Sequence, residues 1–156
     1  MTTVITHNRR RSRLSSLIDQ PGGISTRIAL KQAAENIAEL EEQSLALVEQ
    51  TIQNLADMTP PATVDEVHSK LNEAYGYSAG IIDAAGPFAR EDLCRAATNL
   101  CDLLDGSPTD QMFDWRIITV HAQSFRLLLN LPRDADVPRQ QVLASLQEVL
   151  KAKLGS

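Results

Sequence analysis

Apolar and small residues recur at alternating steps of three and four through the first third of this chain: Leu30, Ala33, Ile37, Leu40, Ser44, Leu47, Thr51 and Leu55. That spacing lays one stripe along one side of an α-helix and conflicts with the two-residue period of a strand. With Ser25 or Thr26 as its cap, the helix covers 25–57 and reaches about 50 Å. A helix of that length is stable in water only with partners laid along its stripe. Breakers divide the chain into segments that can supply them: Pro21-Gly22-Gly23, Pro60-Pro61, Gly86-Pro87, Gly106-Ser107-Pro108 and Pro132.

Each segment repeats the pattern. The second helix opens on a capping box, Thr63-x-x-Glu66, and turns Val64, Val67, Leu71, Ala74, Ser78, Ile81 and Ala85 to one face. A third, from Phe88 or Ala89, aligns Leu93, Ala96, Ala97, Leu100 and Leu104. A fourth, capped by Thr109 or Asp110, points Phe113, Ile117, Val120, Ser124, Leu127 and Leu131 inward. A fifth runs from Pro138 to about Leu154, with proline in the favoured first turn. No alternating strand pattern occurs, and aromatics are only 4% of the 156 residues, too few for a β-sandwich or barrel. The sequence therefore predicts an all-α fold, an up-and-down four-helix bundle with an additional C-terminal helix. The expected organisation is a basic N-terminal arm with a short helical turn over 1–24 and one bundle domain over 25–154. The expected core holds Leu30, Ile37, Leu47, Val67, Leu71, Ile81, Leu93, Leu100, Ile117, Val120 and Leu127.

Charge is unevenly placed. The chain carries −5 overall, yet Arg9, Arg10, Arg11 and Arg13 sit in a segment without an acid. Such an arm suits an acidic partner, but the acidic body behind it would repel a phosphate backbone, so no nucleic-acid partner is expected. No apolar run is long enough to span a membrane, and no secretory pattern follows the arginines. Cys94 and Cys101 lie seven apart on one helix face without metal-ligand spacing. They predict small apolar core residues and a reducing, cytoplasmic setting, with no metal and no cofactor.

Catalytic patterns are missing: the sequence holds no nucleophile elbow, phosphate loop or zinc helix motif. Three histidines remain, His7, His68 and His121. His68 lies one turn beyond Val64 and reads as a solvated edge residue. His121, between Ile118 and Phe125 in WRIITVHAQSFRLLL, reads as a half-buried histidine bonded to a nearby acceptor. Its functional alternative is a phosphoacceptor, with Arg126 or Arg116 as the balancing cation. That role needs a solvent-facing imidazole.

The stretch from Glu73 to Leu104, EAYGYSAGIIDAAGPFAREDLCRAATNLCDLL, is similar to the central hairpin of histidine-phosphotransfer domains. Those helical bundles carry H-x-x-K-G on one helix, then a glycine that ends it about six residues later. Gly80 and Gly86 have that spacing, and Leu93-Cys94, Ala97 and Leu100 follow as the next helix of the pattern does. The register puts Gly76 where the phosphorylated histidine stands and Ala79 where the lysine stands. The resemblance thus implies the bundle and withdraws the transfer chemistry, leaving Tyr75, Gly76, Tyr77, Ala79 and Gly80 as a binding face.

A wider resemblance covers most of 9–131. The elements RRRSRLSSLIDQPGG, IIDAAGPFAREDLCRAATNLCDLLD and DWRIITVHAQSFRLLL resemble the CheE family of small helical proteins from alphaproteobacterial chemotaxis clusters. It implies a non-catalytic interaction module that docks response-regulator receivers or kinase components. The alternatives are a phosphotransfer protein using His121, and a structural or oligomerising bundle with a possible homodimer. Receiver phosphatases orient water with an acid–amide pair; the chain offers Glu39–Gln43 and Glu49–Gln53, spacings common on any solvated helix face.

Overall fold

A computed structural model describes residues 22–155. Among these the fold is all helical, without a strand: α1 Thr26–Asp57, α2 Val64–Ala85, a 3-10 turn Gly86–Phe88, α3 Glu91–Asp105, α4 Arg116–Asn130 and α5 Asp136–Leu154. This is the expected all-α bundle with an extra C-terminal helix. The arginines of the expected basic arm, Arg9, Arg10, Arg11 and Arg13, and His7 lie outside the described residues. The chain divides into two compact units after Ala38, within α1. In the first unit Ser25 caps α1, its Oγ accepting from Ile28 N at 3.4 Å, and every described residue is exposed.

In the second unit α3 is the central element. It packs against α2, α4 and α5, and eight of its residues are buried, from Leu93 to Leu104. The later part of α1 adds Val48, Ile52 and Leu55 to that core. One hydrogen bond and one close approach tie α1 to α2: the Ser44 hydroxyl donates to the Ala84 carbonyl, and the Thr51 methyl Cγ2 lies 3.9 Å from where a Cβ on Gly80 would stand. Ser78 is buried in the same way, its hydroxyl donating to Ala97 O at 2.8 Å across the α2–α3 contact.

Helix starts depart from expectation where local hydrogen bonds compete. Thr63 precedes α2, but its hydroxyl makes no cap bond; Glu66 Oε2 accepts from Ala62 N at 2.8 Å instead, so the box closes one residue early. The chain does not enter α3 at Phe88. Gly86-Pro87 starts a 3-10 turn, Ala89 takes a left-handed φ of 54°, and α3 begins at Glu91. The fourth helix begins at Arg116 rather than near Thr109. Asp114 holds its start, taking Arg116 N on Oδ1 at 3.3 Å and Ile117 N on its carbonyl at 3.0 Å. Ahead of it Phe113 and Trp115 pack edge to face, centroids 6.2 Å apart, against the core.

Two expected faces are rotated. Val67, Leu71, Ile81, Leu93, Leu100 and Ile117 are buried, whereas Leu30, Ile37, Leu47, Val120 and Leu127 are exposed. On α4 the buried set is Ile117, Ile118, His121, Ala122, Phe125 and Leu128. Val120 and Leu127 instead line a groove with Leu131 of the following loop and Val142, Leu146 and Val149 of α5. On α1 the core takes Val48 and Ile52, one residue past Leu47 and Thr51. A stripe of 3–4 spacing fixes the period, while a shift of one residue turns the face by about 100°.

Candidate functional site

The five residues of the phosphotransfer-like face do not all share one surface. Tyr75 is 38% exposed, and Gly76 beside it is open, with nothing within 4 Å of a Cβ built there. Ala79, one turn on from Tyr75, is half-buried. Tyr77 turns aside, half-buried against the core, with its hydroxyl 3.5 Å from Glu73 Oε1. Gly80 is half-buried beside Thr51 of α1. Tyr75, Gly76 and Ala79 therefore make the accessible part: one aromatic ring next to bare helix backbone. It can press against a flat surface, and it holds no nucleophile beyond a phenol, a poor one.

His121 lies in the core with none of its surface exposed. Its Nδ1–H donates to the Ile117 carbonyl at 2.8 Å, since a carbonyl can only accept. The Phe125 ring stands edge-on, centroids 6.1 Å apart, and Nε2 has no partner. The expected bond to a nearby acceptor is present. The solvent-facing imidazole that a phosphoacceptor needs is not, and the accompanying cations are engaged elsewhere. Arg116 forks onto Asp114, both N···O distances being 2.9 Å, and Arg126 Nη2 reaches Gln53 Oε1 at 2.5 Å. The reading of His121 as an acceptor is corrected on burial: α4 presents Phe125 and Leu128 to the core, and His121 shares that side.

Burial lowers the His121 pKa from its ordinary 6.5, against a smaller raising effect of the Ile117 carbonyl. The sign follows from linkage. Below pH 6.5 the unfolded imidazole takes a proton that the folded one refuses, so stability is full above that value and declines beneath it. The slope approaches about 1.4 kcal/mol per pH unit for one such group. Urea midpoints at pH 7.5 and 5.5 are expected to differ in the native chain, and to converge in His121→Leu. An equal pH difference in both chains would remove His121 from the account.

His68 is exposed, with Nε2 3.1 Å from Asn72 Nδ2, as a solvated edge residue should be. Cys94 is half-buried and Cys101 buried; both are free thiols, with pKa values raised chiefly by burial. The amides of both acid–amide pairs meet acceptors within the chain. Gln43 Nε2 is 3.5 Å from Glu39 Oε1, and Gln53 Nε2 donates to Asp57 Oδ2 at 2.7 Å. Among the described residues no group of three or more His, Cys, Asp or Glu is placed to hold a metal ion, and no helix is long and apolar enough to cross a membrane.

Sequence reading missed the arginine cluster at the start of α3. A cleft of about 340 Å³ is lined by Arg90, Arg95, Arg133 and Arg139 together with Asp92 and Asp136. Arg139 is 6% exposed. It pairs with Asp92 and donates to Leu128 O, Leu131 O and Pro132 O at 2.8–3.0 Å, closing the carbonyl end of α4. Arg133 pairs with Glu41. Arg90 has a buried, unpartnered Nε, and its pKa is lowered by burial and by Arg133 and Arg139. The carboxylate that pairs with buried Arg139 is the cluster's own Asp92, which makes the cluster first a clasp between α3, α4 and α5. The one available signal was Pro132 ending a helix with an arginine seven residues on.

Compared with protein-family models, curated proteins and solved structures, the chain matches nothing.

Proposed function

We propose that this chain is a non-catalytic interaction module of chemotaxis or two-component signalling that docks a response-regulator receiver or a kinase component. The observation that supports this reading is the state of α2 around Gly76. The helix ends at Ala85 with Gly86 next, the helix-end register on which the phosphotransfer resemblance rests. Counting back from that end puts the open backbone of Gly76 at the acceptor position, flanked by exposed Tyr75. A partner built to approach a phosphohistidine would meet bare backbone and one aromatic ring there, bordered by Glu73 one turn earlier. Docking rests on apolar contact of this patch and the neighbouring helix surface, and no phosphoryl group is exchanged.

The structural alternative, an oligomerising bundle, is favoured by the exposed apolar stripe of α1, and the two readings are compatible. The test of docking is calorimetric titration of receiver domains and kinase components into the full chain. Gly76→Arg serves as the disrupting variant, because an outward side chain meets nothing in its own bundle and replaces a poor helix former by a good one. Binding to at least one such component is expected, weakened by about tenfold or more in Gly76→Arg, with an unchanged or higher thermal midpoint. Labelled phosphoryl transfer from a kinase should leave the chain unlabelled. Label on His68 would show that the register is wrong, and no binding to any of these components would remove the reading.

A further inference from the structure

Leu30, Ile37 and Leu40 on α1 are 66%, 58% and 55% exposed, and Ala33 between them is exposed as well. Their steps of three, four and three define the narrow seam of a coiled coil, not scattered surface leucines. We propose that this seam is the interface with a second copy of this chain, the two α1 helices pairing antiparallel about a two-fold axis near Glu35.

Charge selects the occupant and its direction. From Thr26 to Ala34 the only charged residues are Arg27 and Lys31; from there to Asp57 every charged residue is acidic, beginning with Glu35, Glu39, Glu41 and Glu42. A parallel pair would set these like charges side by side, whereas an antiparallel pair sets the basic turns of each helix against the acidic turns of the other. Arg27, Ala34 and Glu41 each follow a seam position by one residue, and that column flanks the seam on one side. With the axis near Glu35, Arg27 meets Glu41 of the second copy and Ala34 meets its own equivalent. Within its own chain Glu41 accepts from Arg133 through Oε1, which leaves Oε2 for the incoming guanidinium.

Side-chain volume gives the same register. Leu30 opposes Leu40 of the second copy, and Ala33 opposes Ile37, so each large residue at the centre meets a small one. The parallel register would stack Ala33 on Ala33 and leave a gap in the middle of the seam. Further along α1 the seam positions Ser44 and Thr51 are half-buried, Ser44 donating to Ala84 and Thr51 lying beside Gly80, and the exposed Leu47 between them would stand opposite residue 23 of the second copy, ahead of its α1. The free seam is thus bounded, which suits a short two-fold contact rather than a growing filament.

Sedimentation equilibrium of the full chain tests the pairing. A dimer at micromolar concentration is expected, with association weakened about 100-fold or more in the Leu30→Glu, Ile37→Glu double variant. Both residues are exposed, so circular dichroism should show the helical bundle retained. Arg27→Glu should weaken the dimer by about tenfold, and adding Glu41→Lys should restore it. Orientation is read by mild oxidation: Ala34→Cys should give a disulfide-linked dimer beyond that of the unsubstituted chain, and Leu30→Cys should not. A monomer throughout overturns the proposal, as does a dimer indifferent to the double variant. Cross-linking through Leu30→Cys instead of Ala34→Cys would overturn the antiparallel geometry.

Discussion

Arg139→Ala is expected to lower the free energy of unfolding by about 3–5 kcal/mol, more than a surface arginine could. The guanidinium is buried and serves four acceptors: Asp92 on α3 and the carbonyls of Leu128, Leu131 and Pro132. Removing it leaves a mostly buried carboxylate and the carbonyl end of α4 without donors, and each unsatisfied buried group costs about 1–3 kcal/mol. Arg139→Lys keeps the charge but not the planar fork that spans several carbonyls, so it should recover only part of the loss. Denaturant midpoints with unchanged slope measure both variants. A loss below about 1 kcal/mol for Arg139→Ala would mean that Arg90, which also acts on Asp92 across the cleft, substitutes for it.

This clasp was illegible in the sequence for a physical reason. Periodicity reports apolar residues, and a charged residue on a helix reads as solvated by default. Arg139 is buried because α4 ends at Asn130 with Leu131 extended, so that several carbonyls converge where the first turn of α5 passes. Only the tertiary path brings them together. What periodicity did carry was the number of helices, their breakers and the inward side of α2 and α3, where every large apolar residue named for the core is buried. On those helices the large apolar residues gather on one arc, so the period also fixes the face.

The failures on α1 and α4 share one cause. Each carries apolar residues on two adjacent stripes, and a regular spacing of three and four cannot say which stripe meets the bundle. On α1 the leucines and isoleucine of the regular stripe are exposed as far as Leu47, and the core uses Val48 and Ile52 from the next stripe, with only Leu55 of the regular one buried beside them. On α4 the regular stripe runs through Val120 and Leu127 along the groove with α5, while the core takes His121 and Phe125. The candidate site suffers from the same ambiguity. The α2 register placed Gly76 and Tyr75 on an open surface, because the nearby helix end leaves little slack. It could not foresee that Tyr77 folds back or that Thr51 lies beside Gly80. His121 misled because the histidine and the cations near it in sequence read as a set, while the helix turns the imidazole inward and Arg116 and Arg126 outward.

The two registers of α4 make opposite claims about neighbouring residues, and stability decides between them. Phe125→Ala is expected to cost about 3–5 kcal/mol, since the ring is fully buried in the core and its removal leaves a cavity there. Leu127→Ala, two residues on, should cost less than about 1 kcal/mol, because half of that side chain already faces solvent. The regular stripe would have predicted the reverse order. The pH dependence should change as well. Phe125 stands edge-on to His121, whose Nε2 has no partner, and the vacated space is large enough and now polar enough at that edge to admit water. A hydrated imidazole is penalised less for its charge, so its pKa recovers toward 6.5 and the loss of stability below that pH flattens. Unfolding of Phe125→Ala at pH 7.5 and 5.5, set beside the native chain, should therefore show a lower stability and a shallower fall. A Leu127→Ala variant that loses more than Phe125→Ala would mean that the inward face of α4 runs through Val120 and Leu127 after all.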